Sequence, residues 1–309
     1  MFLRLRYLFA AASIGAAVAV AAVAQATPAP TPNVAKPTPT PAATPNVARP
    51  TATPNRAPSI TVVMPTPTPT STPKPPPPIK IDPKNLTADQ VVESTVLFYG
   101  YPYGRQLLDR IRKTTFERGT ISALNGEGKM EQANYTRFIM RGESLGKEKI
   151  RLDQEFPSAR YSLVFSDGKV FGIYNNTVFT PREDAVKKFE SQIVHGLDAL
   201  LRYKENESQI GLVSREKIMG VDYYVIEVTD KQGRKTRFYI SSKSFRVMML
   251  TYDEDGVKYK RKFYDYNYAQ GTLVPYRSIL WADDKQIEES EVGTVTFGQK
   301  VDENLFNAG

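Results

Sequence analysis

Between residues 114 and 297 the chain reads as strand after strand, interrupted once, at residues 182–205, by a strongly amphipathic helix. Period-two alternation marks the strands. Tyr161, Leu163 and Phe165 share one face against Arg160, Ser162 and Ser166, and Phe238 and Ile240 oppose Arg237 and Tyr239. Short turn sequences separate the runs: 166–169 (Ser-Asp-Gly-Lys), 253–256 (Asp-Glu-Asp-Gly) and 269–271 (Ala-Gln-Gly). Hairpin-length connections make the sheet mostly antiparallel. In the interruption, Ala185, Val186, Phe189, Ile193, Leu197, Leu200 and Leu201 recur at three- and four-residue steps as one apolar stripe. A long sheet with one such helix predicts a mainly β, α+β fold. The pattern suggests a curved surface of about eleven mostly antiparallel strands, with a helical cover over an apolar hollow.

Ahead of the strands, Thr87 is placed as the N-cap of a helix that the run from Tyr99 to Gly104 breaks, and residues 105–112 form a further turn or two. Upstream lie two segments of different composition. Residues 1–26 combine Arg4 and Arg6, an uncharged Ala-rich run and small-residue cleavage sites, the pattern of an export signal; if uncleaved, it becomes an inner-membrane anchor. Residues 27–83 form a disordered Pro/Thr-rich tether in which 31–38 (TPNVAKPT) recurs as 44–51 (TPNVARPT), too poor in large apolar residues to build a core. The folded domain is 84–309, and a periplasmic or otherwise exported location follows.

The net charge of +8 is not spread evenly. Residues 1–83 hold seven Lys/Arg against one Asp, a net of +6, while 84–309 hold 34 against 32, a net of +2. The near-neutral domain therefore offers no electrostatic argument for nucleic acid. With no cysteine there is no disulfide, thiolate metal site or lipid-modified Cys. The one histidine, His195, falls on the polar side of the helical wheel and reads as solvated; no nucleophile elbow, P-loop or dinucleotide fingerprint is present. Lys258, Lys260 and Lys262, followed by Tyr264, Tyr266 and Tyr268 on the same face, read as an anti-aggregation edge rather than a polyanion site. No catalytic residue, metal site or cofactor is assigned.

Several local motifs occur in a telling order: 166–174 (SDGKVFGIY) before the helix, 221–228 (VDYYVIEV), 236–241 (TRFYIS), 263–266 (FYDY), 271–275 (GTLVP) and the closing 301–306 (VDENLF). Together they resemble the LolA/LolB-like lipoprotein-carrier superfamily, over essentially all of 86–306. The resemblance implies an open antiparallel half-barrel of about eleven strands, with helices covering the concave face, that holds acyl chains or other lipids in the periplasm without catalysis or cofactor. Its expected partners are lipid or lipoprotein acyl chains and a membrane-bound donor or acceptor protein, with the chain a monomer. The alternative is a tethered envelope sensor or protein-interaction module that uses the same fold without transport. On the carrier reading, the ligand-lining side chains are Phe138, Met140, Leu163 and Phe165 from the first strands, Phe189, Ile193 and Leu197 from the helix, and Phe238, Ile240, Met248 and Leu250 from the later strands.

Overall fold

The computed structural model describes residues 85–307, apart from Gly126 and Ser158. The export signal and the Pro/Thr tether lie outside the described residues.

The domain opens with α1 (Ala88–Tyr99). Its start is held by a capping box: Thr87 Oγ1 accepts from the Gln90 amide at 3.3 Å, and the Thr87 amide donates to Gln90 Oε1 at 2.9 Å. Thr87→Ala is expected to cost about 1 kcal/mol, measured as a shift in urea midpoint; no shift would mean that packing alone sets this helix end. After a break at Gly100 come α2 (Arg105–Ile111), β1 (Thr114–Leu124), β2 (Met130–Met140), β3 (Lys149–Glu155), β4 (Arg160–Ser166), β5 (Lys169–Tyr174) and β6 (Thr177–Phe179). The helical interruption follows as α3 (Glu183–Val194) and α4 (Leu197–Leu201). The rest is β7 (Gln209–Ile218), β8 (Val221–Thr229), β9 (Lys235–Ser241), β10 (Val247–Glu254), β11 (Val257–Ala269), β12 (Thr272–Ala282) and β13 (Lys285–Phe297), closed by a 3-10 turn at Glu303–Phe306.

All thirteen strands form one antiparallel sheet in the order β6-β5-β4-β3-β2-β1-β13-β12-β11-β10-β9-β8-β7. The chain builds outward from β1 to one edge, jumps through α3 and α4 to the other edge, and returns so that β13 closes against β1. Two-residue turns fix most registers. At Asp167-Gly168, Asn175-Asn176, Met219-Gly220, Asp255-Gly256, Gln270-Gly271 and Asp283-Asp284 both central residues have positive φ, the geometry whose twist matches that of the flanking strands.

Three departures from the sequence reading have local causes. The sheet has thirteen strands rather than about eleven, in part because β6, only three residues long and exposed, carries no alternation. The interruption is two helices because the chain breaks at His195-Gly196, where Gly196 takes an extended conformation and caps α4. In β11, Asp265 adopts φ 53°, so Phe263 and Tyr266 both pack in the core and the expected row of three tyrosines does not form.

The concave face divides into two halves. Under α1 and α4, the inner residues of β8–β11 are solidly packed: Ile226, Phe238, Ile240, Val247 and Leu250 are all fully buried with Val92 and Leu200. Under α3, the inner residues of β1–β4, among them Ile121, Leu152, Leu163 and Phe165, meet Phe189 in a smaller cluster. On the convex side the C-terminal 3-10 turn covers β3 and β4. Arg151 donates to the Leu305 carbonyl, and Phe306 and Val164 are buried.

Candidate functional site

Three cavities follow one another along the concave face beneath α3 and α4. One, of about 340 Å³, lies between α3 and β1–β4 and is lined by Ile121, Leu152, Phe156, Tyr161, Leu163 and Phe189, with Lys188 and Glu288 at its side. A central one of about 250 Å³ shares Phe189, Gln192 and Glu288 with it. A third, of about 460 Å³, shares Leu145 and Ile193 with the central one and reaches the β8–β9 turn at residues 230–234. Phe189 and Ile193, one helical turn apart on α3, are thus the partitions between chambers. Each chamber is near the size range of small-molecule pockets; the one between α3 and β1–β4 is mainly apolar, whereas the central one is lined by charged as well as apolar side chains.

Five of the residues singled out from the sequence line these chambers: Leu163, Phe165, Phe189, Ile193 and Leu197. The other six are placed elsewhere. Phe238, Ile240 and Leu250 point inward but are fully buried in the solid half under α1 and α4. Met248 leaves the row because a bulge between Val247 and Met249 gives its inward place to Val247. Phe138 and Met140 face the convex side, where Phe138 meets Phe116 at 5.1 Å; the inward residues of β2 are Tyr135, Arg137, Ile139 and Arg141. The run Phe138-Ile139-Met140 is apolar on both faces, and only the strand register decides between them.

The sequence reading missed a set of charges inside the central chamber. Asp198, on α4, receives Arg141 Nη2 at 2.9 Å and lies 3.8 Å from Arg112 Nη1. Arg112 also donates to Thr272 Oγ1 and the Leu273 carbonyl. Burial resists ionisation of Asp198, yet Arg141, Arg112 and Arg202 together hold its carboxyl below the usual carboxylate range. Glu288, on β13, is buried against Arg261 at 3.1 Å and receives Lys188 at 3.3 Å and Gln192 at 3.0 Å from α3. Burial opposes its charge as well, but Arg261 and Lys188 bring its carboxyl below the ordinary value. Glu148 pairs with Arg202; burial and then the Asp198 carboxylate push its carboxyl up, against the pull of Arg141 and Arg202. Glu117, which accepts from Tyr135 at 2.8 Å and Arg137 at 3.2 Å, completes the set. These pairs fasten both cover helices to the sheet. The sequence offered little hint of them: the outward face of β2 carries exposed, polar Gln132 and Asn134 as well as Phe138 and Met140, so alternation alone does not reveal charged side chains on the inward face.

His195 corrects the reading of a solvated side chain. It is 5% exposed, stacked on Tyr252 with ring centres 3.9 Å apart, and its Nδ1 is 2.6 Å from Thr236 Oγ1. The helix ends at this residue, so the wheel that placed it among polar neighbours no longer applies. Burial, reinforced by the Arg234 charge, lowers its pKa to about 4.

No family model matches the sequence, and no curated protein does. Solved structures do. A DUF1329 family protein from Desulfovibrio piger superposes with a TM-score of 0.53 at 13% identity, covering 71% of this chain and 97% of that chain. A LolA superfamily protein from Nitrosomonas europaea aligns with a TM-score of 0.49 at 13% identity, over 72% of this chain and 98% of its own. A putative outer membrane lipoprotein-sorting protein domain from Vibrio parahaemolyticus gives 0.40 at 14%, over 63% and 89%. The likeness concerns the fold alone, and the superposition on the DUF1329 family protein is the one of these three above 0.5; that fold is an open antiparallel half-barrel with helices on its concave face.

Proposed function

We propose that this chain is an exported, non-catalytic carrier that holds acyl chains in the chambers between the curved sheet and α3–α4. The observation that carries this reading is that Phe189 and Ile193 of the α3 stripe, besides packing on the small cluster of β1–β4, line cavities. Each methylene moved from water into such a chamber contributes about 0.8 kcal/mol, so roughly ten of them support micromolar binding. The absence of catalysis in this reading is supported by His195, whose one engaged nitrogen meets a threonine hydroxyl and whose ring is stacked in the core. Residues 1–26 serve as the export signal, in a periplasmic setting, and 27–83 as a spacer that sets the reach of the domain. A membrane-bound donor or acceptor protein displaces the cover to load or release the ligand.

The test is native mass spectrometry of the full chain isolated from cell envelopes, followed by lipid extraction. Bound lipid is expected, and Leu163→Trp, which fills the chamber beside Phe189, should lower its occupancy about tenfold while the circular dichroism spectrum is unchanged. A chain that emerges free of lipid and takes up no fluorescent fatty acid would remove the carrier reading and leave the tethered interaction module.

A further inference from the structure

We infer that the end of the half-barrel bearing the α1–α2 loop docks on a phospholipid bilayer carrying anionic lipids. This surface is separate from the chambers, and the inference holds whether or not they bind lipid.

At this end the domain exposes apolar and aromatic side chains on several turns. Leu97 and Phe98 finish α1 exposed, and Tyr101 and Tyr103 on the following loop are 62% and 65% exposed. Met219, at the tip of the β7–β8 turn, is 94% exposed. Tyr268, beside the β11–β12 turn, is also exposed, and its hydroxyl donates to the Phe98 carbonyl at 3.4 Å. Phe245, on the β9–β10 turn, ties the set together by stacking on Phe98 at 5.7 Å and on Tyr224 at 6.1 Å. Half of the exposed large apolar side chains among the described residues therefore share one end, where burial in another phase would reward them.

The chemistry favours a lipid surface over a protein. Tyrosine and phenylalanine suit the headgroup boundary, with an apolar body and a polar tip. Arg215, Lys217, Lys243 and Arg246 lie on the same turns and strand ends, with Asp222 opposite Lys217 across the strand pair, and among the described residues none of these four cations forms an ion pair; Arg215 and Arg246 lie over the Tyr224 and Tyr266 rings. Elsewhere in the domain most arginines are matched to carboxylates. An excess of unmatched cations beside aromatic residues complements anionic headgroups, whereas the cores of protein–protein interfaces are depleted in lysine. The surface is also close to the chambers: α2, seven residues or about 10 Å long, runs from the Tyr101–Tyr103 loop to Arg112 in the central one.

The native absence of cysteine permits a clean test. Single substitutions Tyr103→Cys, Met219→Cys and, at the opposite end of the sheet, Lys129→Cys are made in the full chain and labelled with an environment-sensitive fluorophore. They are mixed with vesicles of phosphatidylcholine alone or with 30% phosphatidylglycerol. Because the label reports its own surroundings, the readout stands even if residues 1–26 anchor the chain. Labels at 103 and 219 should shift to the blue and be quenched by brominated acyl chains with the anionic vesicles only, while the label at 129 stays aqueous. Lys217→Ala with Lys243→Ala should weaken that response at least about tenfold. Aqueous labels at 103 and 219, an equal shift at 129, an equal response to neutral vesicles, or a shift that appears only when an envelope protein is added would each overturn the inference.

Discussion

Glu288→Gln is expected to destabilise the domain by about 3 kcal/mol, and to loosen α3 more than any other element. The carboxylate is almost fully buried and balances Arg261, itself 16% exposed, while Lys188 and Gln192 reach it from the cover helix. Glutamine keeps the shape and one hydrogen bond but leaves the Arg261 guanidinium uncompensated in a low-dielectric site. Lys188 is more exposed and can turn to solvent, so Lys188→Met should cost well under 1 kcal/mol. The pH dependence has a definite sign. Because the folded carboxyl titrates below its ordinary value, its stabilising contribution is complete above about pH 4.3 and is lost as pH falls through the folded value. Urea unfolding at pH 7 should therefore separate wild type from Glu288→Gln widely, and the gap should narrow as pH falls below the ordinary carboxylate range. Hydrogen exchange should show the added opening in α3. A variant within 0.5 kcal/mol of wild type at pH 7 would mean that this ion pair is not what fastens the cover.

His195 governs the other large effect. Its pKa is about 4 in the fold against about 6.5 in an unfolded chain, so the folded state prefers the neutral ring. The contribution is complete above pH 6.5 and declines as pH falls toward 4, amounting to about 2.5 kcal/mol lost by pH 4.5. The groups around it are the Thr236 hydroxyl, the Tyr252 ring, Arg234 and Asp230. Glu148 acts in the opposite direction: its raised carboxyl favours the fold as pH drops. The wild-type profile is thus a sum of opposed terms, and the comparison with His195→Phe isolates one of them. Phenylalanine keeps the stack on Tyr252 and cannot take a proton, so between pH 7.5 and 4.5 wild type should lose about 2.5 kcal/mol relative to the variant. Parallel stability profiles would show that the ring is hydrated in solution.

Much of the architecture could be read before any coordinates. The alternation of Tyr161, Leu163 and Phe165, the Asp-Gly and Gln-Gly turns and the Thr87 cap are local signals, and the structure repeats them nearly residue for residue. The site was less legible, for three reasons. A single bulge at Val247–Met249 exchanged Met248 for its neighbour, and strand register sent Phe138 and Met140 to the convex side. A helix break at Gly196 invalidated the wheel for His195 and Asp198. Finally, the last strand carries Glu288 inward, where Arg261 and Lys188 from other elements stabilise it, a pairing that local pattern scores as solvent-facing.

By itself the sequence determined the class of object: an antiparallel sheet with one face apolar, a helical interruption carrying a single greasy stripe, and a chain without cysteine. These follow from periodicity and composition, which act over a few residues. Only the tertiary structure decided how much of the concavity stays open. Half of it is filled because α1 and α4 seat against β8–β11, and half remains as chambers because α3 meets β1–β4 through the small Phe189 cluster while buried charges such as Glu288 and Arg261 occupy the sheet beside it. Coulomb attraction between residues far apart in the chain leaves no trace in local periodicity, so it becomes visible only once the fold brings the partners together.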